Sequence, residues 1–135
     1  MAIRTKICGE YTSISQKTTC YDLLDRLHDT PISQADALAL VEDLAQTFQI
    51  KIGKVIFKPR HKGRAMWKTR NIILPATPKC DSRRVGFLRT GIVVHEVCHL
   101  LVLQRGCKTH GDTFVRTLDE LVRHVSQREA QRQAA

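Results

Sequence analysis

Residues 91–101 read Gly-Ile-Val-Val-His-Glu-Val-Cys-His-Leu-Leu, an apolar run interrupted by two histidines and a glutamate. Side chains four residues apart project from the same side of a helix, so a helix here would turn His95 and His99 the same way. The opposite side of the helical wheel is apolar and carries Val93, Val94, Val97, Leu100 and Leu101. This pattern predicts a central, buried helix over residues 88–104, which Gly106 ends.

Glu96 completes an HExxH signature, in which two histidines bind zinc and the glutamate acts as general base. Catalytic zinc usually takes three protein ligands and leaves its fourth position to water. Two imidazoles and a carboxylate in an apolar helix would be costly to bury unless a metal or hydrogen bonds satisfied them. The signature therefore predicts a zinc site at His95 and His99, with Glu96 as the catalytic residue.

The third ligand is less closely defined by the spacing. His110 stands eleven residues after His99 and offers a neutral imidazole, which is a good zinc ligand. Glu120 and Asp119 are rivals, because some metalloproteases take a later glutamate as third ligand. The metzincin pattern is absent, since no histidine lies six residues after His99. We favour His110 and keep both acidic residues as alternatives.

Zinc ligated in this way lowers the pKa of its bound water and polarises a carbonyl. Glu96 would then take the proton of that water and pass it to the leaving amine, so the expected reaction is hydrolysis of a peptide bond. Oxyanion stabilisation by His124, Arg116 or a basic residue stays open. A metal-dependent hydrolase of another bond is also compatible with these residues.

The positive charge of the chain is concentrated in its middle third. The formal net charge is +9, and residues 51–92 alone carry twelve basic residues against one acid. Phe57 and Trp67 are interleaved with this charge. Basic surfaces with exposed aromatics favour polyanions such as DNA or RNA, whereas the simpler interpretation is a solvated hairpin that aids solubility. The predicted nucleic-acid-binding residues are Lys58, Arg60, Lys62, Arg64, Lys68 and Arg70.

Flanking patterns predict further helices and a hairpin. Apolar spacing indicates helices over residues 18–28 and from an N-cap at Ser33, and a last helix opened by Thr109 and Asp112. The last helix would bury Phe114, Leu118, Leu121, Val122 and Val125. Alternating residues at 50–58 and 64–74 predict a β-hairpin, with Pro59 and Pro75 at its margins.

Length and composition fit one soluble domain over residues 1–135, with flexible tails at 1–14 and 127–135. Five cysteines without a paired CxxC spacing suggest a reducing compartment. No apolar run approaches the roughly 18 residues of a membrane span. We therefore expect a cytoplasmic monomer without membrane contact, associated with the nucleoid or nucleus if it is linked to DNA.

Three stretches resemble the SprT-like zinc metallopeptidases, a family that includes Spartan and is similar to the minimal WLM-type proteases. They are residues 70–75, residues 91–101 and the His-Gly-Asp-Thr-Phe run at 110–114. The resemblance implies an α+β, zincin-like fold, with helices packed on a short antiparallel sheet and a central HExxH helix. It implies zinc held by His95, His99 and His110 and catalysis by Glu96. Several members of the family degrade proteins that are bound or crosslinked to DNA, and the basic residues of this chain would suit such substrates.

A different class of function competes with this one. The chain could be a non-proteolytic, basic nucleic-acid-binding module in which zinc is structural or vestigial. A fourth protein ligand such as Cys98 or Cys107 would favour that alternative, because catalytic zinc sites keep one position open.

Overall fold

A computed structural model describes residues 14–27, 31–59, 62–77, 87–107 and 111–134. Within these ranges the protein has four helices and three short strands, so the α+β class is confirmed. The helices are α1 (Ile14–Asp25), α2 (Gln34–Phe48), α3 (Thr90–Gln104) and α4 (Asp112–Ala134). The strands are β1 (Val55–Lys58), β2 (Arg64–Ala65) and β3 (Ile72–Pro75). No helix in the described ranges is both long and apolar enough to cross a membrane.

Helix α3 forms the centre of the molecule. Every residue from Thr90 to Cys98 is buried, as are Leu100, Leu101 and Val102. Helices α2 and α4 and strands β2 and β3 all pack against it. The predicted central helix is thus confirmed, and its all-round burial follows from apolar residues on nearly every side.

Helix α1 begins four residues before the predicted range of 18–28 and ends three residues before the end of that range. Helices α2 and α4 keep features that the sequence predicts. The Ser33 hydroxyl caps α2 by accepting a hydrogen bond from the Asp36 amide at 3.1 Å, as the sequence predicts. All five residues of the predicted α4 stripe are buried. Helix α4 continues to Ala134 through the segment expected to be a flexible tail, where glutamine, arginine, glutamate and alanine are good helix formers.

The predicted β-hairpin between residues 50–58 and 64–74, and with it the antiparallel sheet, is wrong. The sheet is mixed and has the order β1-β3-β2, in which β1 runs parallel to β3 and β2 runs antiparallel to it. A turn divides the second segment, because the Met66 amide donates to the Asn71 carbonyl and the Arg70 amide to the Met66 carbonyl, both at 2.8 Å. The hairpin therefore joins β2 to β3, and β1 occupies the other edge of β3.

Candidate metal site

Three potential metal ligands meet on the buried helix α3. The ligand atoms of His95, Glu96 and His99 all lie within 4.8 Å of one another, and in the described ranges this is the one such group of histidine, cysteine and acidic side chains. His95 and Glu96 are fully buried, whereas His99 is partly exposed. The group could hold a metal ion, and the His99 side gives it contact with solvent.

Phe114 packs against both histidines from helix α4. Its ring centroid lies 5.2 Å from that of His95 and 4.9 Å from that of His99. The side chain is completely buried, so the contact is part of the core between α3 and α4. The start of α4 is thereby held beside the candidate site, and the two imidazoles have little room to turn.

The carboxylate of Glu96 is buried, and no hydrogen bond from the described residues stabilises it. Both of its oxygens are shielded from solvent and have no hydrogen-bond partner there. Burial raises the pKa of this carboxyl well above its ordinary value. A carboxyl group in such surroundings is stable when it is protonated or when a cation lies close to it. The burial of Glu96 therefore favours a cation held near the cluster of His95, Glu96 and His99.

A glycine covers the same carboxylate from the sheet. Gly63, which immediately precedes β2, is buried and has a φ of +98°. A Cβ atom at this position would lie 3.0 Å from Glu96 Oε2 and 3.1 Å from Ile92 Cγ2. The backbone before β2 therefore passes directly over the acid.

The predicted third ligand, His110, lies outside the described residues. The described chain resumes at Gly111 and enters α4 at Asp112, two residues before Phe114. Sequence position therefore puts His110 within four residues of a side chain that contacts both histidine rings. Thr109, the predicted cap of α4, also lies outside the described part.

The two acidic rivals belong to ion pairs on the outer side of α4. Glu120 accepts hydrogen bonds from the Arg105 guanidinium, and Asp119 forms a salt bridge with Arg123 at 2.9 Å. Neither carboxylate belongs to the ligand group. Their exposure and their arginine partners are typical of ion pairs on a protein surface.

The cysteines proposed as closing ligands are not in the group either. Cys98 is buried beside the histidines, and its thiol donates to the Phe114 carbonyl at 3.7 Å. Cys107 is partly buried at the end of the α3 segment. A closed site with four protein ligands finds no support among the described residues.

Most of the predicted basic residues are exposed around the sheet. Lys58, Lys62, Arg64 and Lys68 are exposed, Arg70 is partly buried, and Arg60 lies outside the described residues. Trp67 is 58% exposed in the turn between β2 and β3. The sequence therefore places a large aromatic ring next to Lys68 on a basic surface.

Of the proposed oxyanion stabilisers, His124 is engaged elsewhere. Its Nε2 lies 2.8 Å from Asp43 Oδ2, and its ring meets Phe48 edge-on. It joins α4 to α2. Arg116 is exposed on α4.

Sequence reasoning missed two neighbours of the ligand group. The sequence indicates Phe114 as part of the buried stripe of the last helix and of the 110–114 run, and it indicates no role for Gly63 at the site. Neither carries a local signal of its role, because both approach α3 from distant parts of the chain. Comparisons with protein-family models, with characterised proteins and with solved structures find no match. The chemistry of the ligand group is therefore what points to a function.

Proposed function

We propose that the protein is a zinc-dependent metalloendopeptidase of the SprT-like, zincin type. The observation that carries the proposal is the Glu96 carboxylate, which is fully buried without a hydrogen-bond partner in the described residues and lies beside two imidazoles. Two histidines four residues apart are the zinc ligands of HExxH peptidases, and the glutamate between them is their general base. The sequence resemblance supports the same assignment.

In this proposal His95, His99 and His110 hold the zinc ion. The proximity of Phe114 to both rings supports His110, because residue 110 precedes Phe114 by only four positions. The ion pairs of Glu120 and Asp119 speak against the acidic alternatives. Three histidines leave one coordination position for water or for the substrate carbonyl.

Bound zinc would supply a polarised water near neutral pH. Glu96 would accept the proton of the attacking water at a carboxylate oxygen and deliver it to the departing amine. Its apolar surroundings favour the protonated carboxyl, while a nearby cation favours the ionised form, and proton transfer in both directions requires this balance. Phe114 would hold the imidazoles in place during the reaction.

The test replaces the base without changing its shape. Glu96→Gln in the zinc-loaded protein should retain one zinc per chain and lose peptidase activity by at least about 100-fold, because the amide cannot accept the proton. Glu120→Gln is the matched control, since it makes the same chemical change at an exposed side chain of α4. We expect this control to cleave at the wild-type rate. Cleavage by Glu96→Gln at the wild-type rate would overturn the proposal.

A second candidate, binding of nucleic acid, rests on a separate observation. The exposed Trp67 ring stands beside Lys68, and Lys62 and Arg64 are exposed before and within β2. An aromatic platform with cations around it suits an unpaired base and its phosphates. As part of the peptidase proposal, this surface would bring DNA-associated proteins to the site. In the alternative proposal, nucleic-acid binding by this surface would be the whole function of the protein, and zinc would be structural or vestigial.

Binding of single-stranded DNA can be measured as a function of salt. Trp67→Ala should weaken it by about 1–3 kcal/mol, and neutralising Lys62, Arg64 and Lys68 together should lower the salt slope by about 2–3. Lys51→Ala, at an exposed residue before β1, is the control. Binding that is unchanged in both sets of variants would show that this surface is not the site of DNA binding. A DNA-binding protein that is indifferent to Glu96→Gln and cleaves no protein would favour the alternative.

A further inference from the structure

We propose that Gly63 is a positioning residue for Glu96: the backbone before β2 fixes the orientation of the carboxylate, and any side chain at position 63 displaces it. This inference rests on the proposed function for its catalytic consequence. The contact itself does not depend on what the protein hydrolyses.

The geometry is tight for a side chain at this position, so the neighbouring atoms would have to shift. A Cβ at Gly63 would meet Glu96 Oε2 at 3.0 Å and the carboxyl carbon at 3.5 Å. It would also meet Ile92 Cγ2 at 3.1 Å, one helical turn before Glu96. The backbone φ of +98° is itself unfavourable for any residue but glycine. Position 63 thus combines a backbone conformation that suits glycine with a close approach to the candidate base.

The two residues that follow Gly63 anchor its segment to the sheet. Arg64 pairs with Ile73 and Ala65 with Ile72 in the antiparallel ladder, and the turn beyond is closed by the bond from Met66 to Asn71. Ile72 and Ile73 are buried, so β3 provides a rigid support. A displaced Gly63 would have to break this pairing, and the flexible Glu96 side chain is the softer partner in the contact.

The consequence for Glu96 follows from the absence of a hydrogen bond to its oxygens among the described residues. A glutamate on a helix can rotate about three side-chain bonds, and no hydrogen bond from the described residues holds its oxygens. Packing against the Gly63 backbone is therefore what limits the carboxylate on this side. General-base catalysis depends on such placement, since a shift of about 1 Å can cost roughly 100-fold in rate.

A double-mutant cycle tests the contact independently of activity. Gly63→Ala should lower the Tm, and it should lower it by less in a Glu96→Ala background, where the carboxylate is gone. Gly106→Ala is the matched control: Gly106 has a φ of +84°, but a Cβ there would meet nothing within 4 Å. Its effect on Tm should be the same in both backgrounds. Equal effects of Gly63→Ala in the two backgrounds would overturn the proposal.

A second measurement holds even if Gly63→Ala does not fold. In the protein with its natural Gly63, Glu96→Ala should shift the Gly63 amide resonance in an NMR spectrum and leave the Gly106 amide in place. If the Gly63 resonance does not shift, the proposed contact between the Gly63 backbone and Glu96 is contradicted.

Kinetics then separate this inference from the proposed function. Zinc-loaded Gly63→Ala should keep its zinc and its KM and lose kcat by roughly 10- to 100-fold, whereas Gly106→Ala should keep both constants. A wild-type kcat in Gly63→Ala would overturn the positioning role. If the zinc-loaded wild type cleaves nothing, the proposed function fails, and the double-mutant cycle and the NMR shift still decide whether Gly63 orients Glu96.

Discussion

The imidazole rings of His95 and His99 lie with their centroids 4.9 Å apart and their planes at 76°. Successive turns of α3 bring the two rings together, and Phe114 packs against both of them. A pair of imidazoles held at this separation by the core needs little rearrangement to bind one cation. The site is therefore as rigid as the α3–α4 packing that supports it.

Phe114→Leu should weaken zinc binding more than its effect on stability explains. The shorter side chain leaves space beside both rings, with an expected loss of about 1–2 kcal/mol in the free energy of unfolding. Loss of a hydrogen-bonding group that orients metal ligands typically costs about 10- to 100-fold in metal affinity, and for the loss of Phe114 packing we expect about 10-fold. A zinc competition titration measures this change.

The control for Phe114 lies two turns further along the same helix. Leu121→Ala removes a fully buried side chain and should cost about 2–5 kcal/mol of stability without altering zinc affinity. Equal loss of affinity in both variants would mean that zinc binding follows overall stability, and that Phe114 has no special part in it.

Glu96 should make the stability of the metal-free protein depend on pH. Because burial raises its pKa above the ordinary value of 4.5, the folded state holds the proton at pH values where the unfolded state has lost it. This contribution to stability is complete below the unfolded-state pKa and decreases as the pH rises through the folded-state pKa. Glu96→Gln cannot ionise, so the variant should have the higher Tm at pH 7 and a similar Tm at about pH 4.

Thermal melts of the metal-free proteins across this pH range provide the measurement. Glu42→Gln, at an exposed side chain of α2, controls for the general effect of removing a negative charge. A Tm difference between Glu96→Gln and wild type that is the same at every pH would contradict the burial of an ionisable carboxyl.

Gly53→Ala should disturb the parallel pairing of β1 and β3. A Cβ at this position would lie 2.5 Å from Asn71 Oδ1 and 2.6 Å from the Thr69 carbonyl oxygen. The Asn71 side chain accepts a hydrogen bond from the Lys54 amide at 2.8 Å, so its displacement would loosen the start of β1. We expect a loss of about 1–3 kcal/mol in chemical denaturation.

Lys54→Ala is the matched control, because it retains the backbone amide that binds Asn71 and alters only an exposed side chain. Its effect should stay within about 0.5 kcal/mol. A tolerated Gly53→Ala would show that the parallel strand pairing does not depend on this close approach.

Helices α2, α3 and α4 could be predicted from the sequence because their signals are local, whereas α1 spans Ile14–Asp25 rather than residues 18–28. The apolar pattern around His95 defined α3 to within two residues at its start, and the Ser33 cap lies where its spacing to Asp36 predicts. The strand pairing could not be predicted in this way. Alternation identifies residues that suit a strand but does not specify which strand they pair with. Here the turn at 66–71 brings β2 into pairing with β3.

The candidate site shows the same division. His95, Glu96 and His99 follow from one helical spacing, and the structure brings their ligand atoms together. Phe114 and Gly63 reach them from α4 and from the segment before β2, through tertiary packing that no short motif encodes. Their contribution depends on contacts among three elements that are distant in the sequence.

The most direct test of the zinc peptidase proposal is a structure of the zinc-loaded protein that resolves the coordination shell of the metal. The proposal predicts one zinc bound by His95, His99 and His110, with the remaining position taken by water and Glu96 facing that water without binding the metal. Zinc enclosed by four protein ligands, or bound away from His95 and His99, would contradict it.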